Sequence, residues 1–155
     1  MAEEGQKAPD FDLATDSGDR VKLSGLKGKP VVVYFYPKDD TSGCTKEAQA
    51  FTELAPAFAA AGARVIGISP DTIESHAKFR SKYDLGIDLA ADPQREAIEA
   101  FGVWVEKSMY GRKYMGVDRS TFLIDPKGKV ARVWRKVKVP GHAEEVLAAV
   151  KALEA

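Results

Sequence analysis

The stretch Val31-Val32-Val33-Tyr34-Phe35-Tyr36-Pro37-Lys38-Asp39-Asp40-Thr41-Ser42-Gly43-Cys44-Thr45-Lys46-Glu47 decides how the chain is built and where its chemistry is to be sought. Its first six residues are β-branched or aromatic without alternation, the pattern of a central strand buried on both faces. A polar turn follows, and a helical pattern begins near Thr45. Cys44 is the only cysteine of the chain, and it stands at the start of that helix. Unpaired backbone N–H groups and the helix dipole favour negative charge there, so the position predicts an acidified, reactive thiol.

Downstream, Ala48, Phe51, Leu54, Ala55 and Phe58 recur at spacings of three and four, which predicts one apolar helix face up to about Ala61. Pro56 lies inside that pattern and cannot donate to the helical ladder, so a kink or break is expected. Arg64–Ser69 reads as a second buried strand. Asp71-Thr72-Ile73-Glu74 opens a helix to about Tyr83, with Asp71 as its cap. Ile87–Ala91 is a short strand, and Pro93 starts a helix to Phe101. Residues 103–117 show no clear period and read as a functional loop or edge. Thr121–Asp125 and Val130–Val137, joined by the turn Pro126-Lys127-Gly128-Lys129, form a hairpin with one solvated face. A last helix carries Val146, Leu147, Val150 and Leu153 on one side. Upstream, Phe11-Asp12-Leu13 and Val21-Lys22-Leu23 flank a turn and predict a small N-terminal hairpin.

Strands alternating with helices in the middle imply parallel pairing, and the late hairpin implies an antiparallel part. The expected fold is α/β with an α+β-like edge: a mixed central sheet, helices on both faces and an added N-terminal hairpin. At 155 residues, 1–155 reads as a single domain. The charges balance at 23 basic and 23 acidic residues, which gives no reason to expect a nucleic-acid or membrane partner. The acidic start, Met1-Ala2-Glu3-Glu4-Gly5, lacks the pattern of a secretory leader, and the longest apolar run is too short to span a bilayer. A single cysteine permits no internal disulfide, which fits a reducing, cytoplasmic setting.

Cys44 lies among Thr41, Ser42, Gly43 and Thr45 rather than in an apolar stripe. A lone cysteine is commonly a small buried hydrophobe, but this polar turn favours a reactive thiol. The Thr41 hydroxyl is placed to bond the sulfur or its substrate, or to cap the helix, and the two roles are compatible. Arg119, just before the apolar run Thr121–Ile124, reads on its own as a sheet-edge residue; beside Cys44 it would stabilise a thiolate and bind an oxygen-rich substrate. His76 and His142 are expected on solvated helical surfaces. The aromatic residues Trp104, Tyr110, Tyr114 and Trp134 are read as packing residues, and Arg132, Arg135, Lys136 and Lys138 as a solvated face. No metal-ligand spacing, phosphate loop or hydrolase elbow is present, so no metal or cofactor is expected.

Pro37-x-x-x-Thr41-x-x-Cys44 resembles the signature of the peroxiredoxins, thiol peroxidases on a thioredoxin-like fold. Further stretches resemble one subfamily, the bacterioferritin comigratory protein or peroxiredoxin Q group: Ala8-Pro9-Asp10-Phe11, Gly28-Lys29-Pro30, Ile68-Ser69-Pro70-Asp71, Met109–Gly116 and Arg119–Asp125. The resemblance covers nearly the whole chain. It implies that Cys44 is the peroxidatic cysteine, attacking a hydroperoxide and becoming a sulfenic acid. Thr41 would then hold the peroxide, Pro37 would shield the sulfur from water, and Arg119 would steady the thiolate and the breaking O–O bond.

Many members of the group carry a resolving cysteine five residues after the first, where this chain has Gln49. The sulfenic acid must therefore be reduced by an external thiol: thioredoxin, glutaredoxin or glutathione. The expected activity is a one-cysteine peroxidase, antioxidant in effect, acting on hydrogen peroxide and organic hydroperoxides, in a monomer or weak dimer. The alternative is a redox sensor or thiol relay that passes oxidation to a partner protein through a mixed disulfide.

Overall fold

A computed structural model of the chain describes residues 2–153. The elements in order are β1 (Asp12–Ala14), β2 (Arg20–Lys22), β3 (Val31–Phe35), α1 (Ser42–Ala60), β4 (Arg64–Ser69), α2 (Ile73–Tyr83), β5 (Asp88–Ala91), α3 (Glu96–Ala100), β6 (Trp104–Met109), β7 (Arg112–Val117), β8 (Ser120–Ile124), β9 (Val130–Trp134) and α4 (His142–Leu153). A short 3-10 turn, Leu23–Leu26, precedes β3.

The central sheet has the order β5-β4-β3-β8-β9, with β3, β4 and β5 parallel and β8 and β9 antiparallel to their neighbours. All five residues of β3 are buried, as its unbroken apolar run predicts. Alternate β3 side chains serve two cores. Val31, Val33 and Phe35 meet β1, β2 and α3 through Leu13, Val21, Ile98 and Phe101. Val32, Tyr34 and the following Tyr36 meet α1, α2 and α4 through Phe51, Phe58, Phe79 and Val146. Helices thus cover both faces of a mixed sheet, and β1 pairs with β2 as the added N-terminal hairpin.

Several local expectations give way to tertiary context. Residues 103–117 are a regular antiparallel hairpin, β6 with β7, rather than a loop. Its turn, Tyr110-Gly111, has φ of +52° and +78°, the left-handed pair that a tight two-residue hairpin turn requires. The strands carry no clear alternation because most of their side chains remain exposed. α1 starts earlier than expected, at Ser42, and runs through Pro56 without a break, since burial of Ala48, Phe51 and Phe58 outweighs one missing hydrogen bond. α2 is capped by Thr72, whose hydroxyl accepts from the Ser75 amide at 3.2 Å, while Asp71 is drawn into contacts described below. α3 begins at Glu96 rather than Pro93, because the Asp92 carboxylate takes up the amides of Glu96 and Ile98. β8 has no solvated face; all five of its residues are buried.

Both histidines correct the sequence reading most sharply. His76 has no solvent exposure and His142 only 5%. His142 Nε2 lies 2.8 Å from Thr121 Oγ1, and burial holds its pKa below the usual imidazole value. An amphipathic surface cannot be told from a buried polar contact by spacing alone when the partner lies on another element.

Candidate active site

The register of the sheet assembles the site. β8 runs antiparallel to β3 with Ser120 opposite Phe35, so the start of β8 lies at the end of β3. From that end the chain turns through 37–41 into α1, and Cys44 falls in its first turn. Arg119, one residue before β8, is thereby carried to the same place although 75 residues separate the two in sequence.

The Cys44 thiol is 1% exposed, and Arg119 Nη2 donates to its Sγ at 3.2 Å. Gly43 leaves room for this approach, because a Cβ there would stand 3.2 Å from the same Nη2. Arg119 Nη1 donates to Glu47 Oε1 at 2.6 Å. One guanidinium thus bridges the sulfur and a carboxylate, its planar fork offering separate N–H groups to each. Burial works against the charge of Arg119, yet Glu47 and Cys44 together hold its pKa above the ordinary value.

Glu47 is 1% exposed and its Oε2 has no hydrogen-bond partner among the described residues. Burial pushes its pKa up to about 7 despite the pull of Arg119. An ion pair inside a protein must repay the desolvation of both charges, and here a single shared cation does so incompletely. Reading the sequence missed this residue. Its signal was the spacing, since a residue three positions after Cys44 on a helix lies on the same face.

Thr41 occupies the cap position of α1 with extended backbone, but its hydroxyl does not cap the helix; it donates to the Lys38 carbonyl at 2.9 Å. With its proton so engaged, the oxygen keeps its acceptor lone pairs. Pro37 follows β3 half-buried. Among the described residues Arg119 is the only hydrogen-bond partner of the Cys44 sulfur, so Cys44 and Arg119 meet directly while Thr41 and Pro37 flank them on the connecting turn. Gln49, five residues beyond Cys44 on α1, is exposed. The β6–β7 hairpin contributes Lys107, whose pKa burial lowers against the opposing pull of Asp118 and Cys44.

The turn itself is held from α2. Asp39, 7% exposed, accepts from Tyr36 Oη at 2.6 Å and from Ser75 Oγ at 2.8 Å, and lies 2.7 Å from His76 Nδ1. Its amide donates to Asp71 Oδ2 at 2.8 Å. Asp40 accepts from Lys82 Nζ at 2.8 Å and Tyr83 Oη at 2.5 Å. None of these pairings was visible in the sequence.

The chain is similar in sequence to known proteins over nearly its whole length. The pattern of the AhpC/TSA family matches residues 4–133. A putative peroxiredoxin bcp of Coxiella burnetii is 50% identical over 145 residues, covering 94% of this chain and 96% of its own. Peroxiredoxin Bcp of Bacillus subtilis is 50% identical over 147 residues, covering 95% and 94%. Among solved structures, peroxiredoxin Q of Xanthomonas campestris superposes with a TM-score of 0.88 at 45% identity, over 92% of this chain and 90% of that one. The bacterioferritin comigratory protein of the same organism, solved as trapped intermediate and ligand complexes bearing on its alkyl peroxide reduction, gives 0.90 at 42% identity, over 97% and 98%. These likenesses extend over nearly the full length of each partner. The chain therefore belongs to the AhpC/TSA family, in its bacterioferritin comigratory protein or peroxiredoxin Q group, and is a peroxiredoxin enzyme on a thioredoxin-like fold.

Proposed function

We propose that the chain is a one-cysteine thiol peroxidase in which Cys44 reduces hydrogen peroxide and organic hydroperoxides and an external thiol restores it. The observation that carries this reading is the Arg119 guanidinium 3.2 Å from a buried sulfur that is the chain's only thiol. The nucleophile is the thiolate form of Cys44, with the Arg119 guanidinium directly beside its sulfur. The thiolate attacks one peroxide oxygen; the S–O bond forms as the O–O bond breaks, and sulfur loses two electrons. The departing hydroxide or alkoxide takes up a proton and leaves as water or alcohol. Arg119 faces the charge that passes from sulfur to oxygen. Thr41 Oγ1, its own proton donated to Lys38, accepts from the O–H of the incoming hydroperoxide, and Pro37 limits access of water to the sulfur.

The sulfenic acid then condenses with an external thiol, releasing water and leaving a mixed disulfide. A second thiol attacks that disulfide and frees Cys44. Thioredoxin, glutaredoxin and glutathione are the candidate reductants, and a reducing compartment would supply them. No helix among the described residues is long and apolar enough to cross a membrane.

The decisive measurement is stopped-flow oxidation of Cys44 by hydrogen peroxide, followed by steady-state turnover with each reductant in turn. Oxidation far faster than that of free cysteine, and turnover abolished by Cys44→Ser, are expected. Oxidation no faster than free cysteine would remove the peroxidase reading. Fast oxidation without turnover, with a partner protein trapped as a mixed disulfide on non-reducing gels, would favour the thiol relay instead.

A further inference from the structure

We propose that His76 is a positioning residue for the peroxide site: held as a buried imidazolium, it latches the 37–41 turn to α2 and β5 through Asp39. The ring has no solvent exposure, and each nitrogen faces an oxygen acceptor. Nδ1 lies 2.7 Å from Asp39 Oδ2, and Nε2 lies 3.0 Å from the Ala90 carbonyl of β5. A carbonyl can only accept, so Nε2 carries a proton. Asp39 is ionised: burial opposes its charge, yet His76, Tyr36 and Ser75 hold its pKa below the ordinary carboxylate value. An ionised carboxylate also only accepts, so Nδ1 carries a proton as well. A ring that donates from both nitrogens is charged.

The groups facing the pair complete the arrangement. Tyr36 Oη donates to Asp39 Oδ1 from the end of β3, and Ser75 Oγ to Oδ2 from α2. Asp71 lies behind them, accepting from the Asp39 amide at 2.8 Å and from Ser69 Oγ at 2.7 Å. The aromatic rings of Tyr36 and Phe79 lie against this cluster, their centroids 6.4 Å apart. With its polar groups bonded and the imidazole fully buried, the pair holds Asp39 in one place. Asp40, at φ +59°, is held in turn by Lys82 and Tyr83, in an exposed contact that contributes less. Thr41 is the next residue, and Cys44 follows within one helical turn. The place of the Thr41 hydroxyl relative to the sulfur is therefore set from α2, by residues that touch neither.

This inference rests on the reading of Cys44 and Thr41 as the peroxide site, and its test separates the two. In the full-length chain with His76→Gln, the second-order rate of Cys44 oxidation by hydrogen peroxide should fall about tenfold, because catalysis depends steeply on the placement of binding groups. Alkylation of Cys44 by iodoacetamide, which needs the thiolate but no peroxide site, should stay the same or rise. A fall in the peroxide rate of less than about threefold, or an equal fall in alkylation, overturns the proposal. In the wild-type protein, long-range 15N–1H NMR of His76 should show protons on both ring nitrogens at pH 7; a neutral ring overturns it independently of any variant. Slow oxidation of the wild type would instead remove the peroxide-site reading and leave the imidazolium measurable.

Discussion

Replacing Glu47 by glutamine isolates the cost of a buried carboxylate beside the reactive thiol. Glutamine keeps the shape and an oxygen for Arg119 Nη1, now 2.6 Å from Glu47 Oε1, but carries no charge. Folding moves the Glu47 pKa from 4.5 to about 7. Each pKa unit is worth about 1.36 kcal/mol, so the carboxylate costs the folded state about 3 kcal/mol once it is fully ionised. The sign follows from proton binding. Between the two values the folded protein holds a proton that the unfolded chain has lost, so stability falls as pH rises. The cost is absent below 4.5 and complete above about 7.

Glu47→Gln should therefore match the wild type near pH 4 and exceed it by about 3 kcal/mol at pH 8, a rise in Tm of about 6–12 °C for a chain of this size. Urea unfolding of both proteins between pH 4 and pH 8 reads the difference, with Cys44→Ser as a common background so that the thiol cannot oxidise. Other shifted groups, Asp39, Asp92 and His142, are common to both proteins and cancel. Parallel stability profiles would refute the reasoning, for they would mean that the buried carboxyl is ionised without cost.

Arg119→Lys keeps the charge but offers no rigid fork to reach both Sγ at 3.2 Å and Oε1 at 2.6 Å, so the peroxide rate should drop about a hundredfold with the fold retained by circular dichroism. Gly43→Ala should favour the helix by up to about 1 kcal/mol yet slow oxidation, because its methyl would stand 3.2 Å from Arg119 Nη2; a faster peroxide reaction would contradict the crowding. Gln49→Cys would place two thiols five positions apart on α1, whose Cα atoms in an intact helix are about 8.6 Å apart, beyond the reach of a disulfide. Peroxide should therefore give that variant a disulfide only together with a loss of helical circular dichroism, whereas a disulfide formed at full helicity would show that α1 is already open at its start.

The legible and illegible parts of this protein divide along physical lines. β3 announced itself because a strand buried on both faces must be apolar throughout, and Val31–Tyr36 is. α1 was visible in its apolar face, although Pro56 suggested a break that packing does not permit. The β6–β7 hairpin stayed hidden because exposed strands need no alternation, and its one clue was the turn-forming Gly111. Cys44, Thr41, Pro37 and Arg119 were proposed from their places in the sequence and from the resemblance, and of these the fold brings Cys44 and Arg119 into direct contact. Glu47 was missed, although its place three residues beyond Cys44 was in plain view, because an acidic residue on a helix is ordinarily solvated.

The sequence alone determined the local structure around Cys44: an apolar strand, a polar turn and a helix start, all encoded in side-chain chemistry a few residues apart. It also determined, by the presence of a single thiol, that no internal disulfide can form. Only the tertiary structure decided what surrounds that thiol. The antiparallel register of β8 on β3 brought Arg119 to the sulfur, and the packing of α2 brought His76 to Asp39 across 37 residues. Such pairings depend on strand order and on which faces are buried together. Both are set by the whole core at once, so no stretch of local periodicity records them.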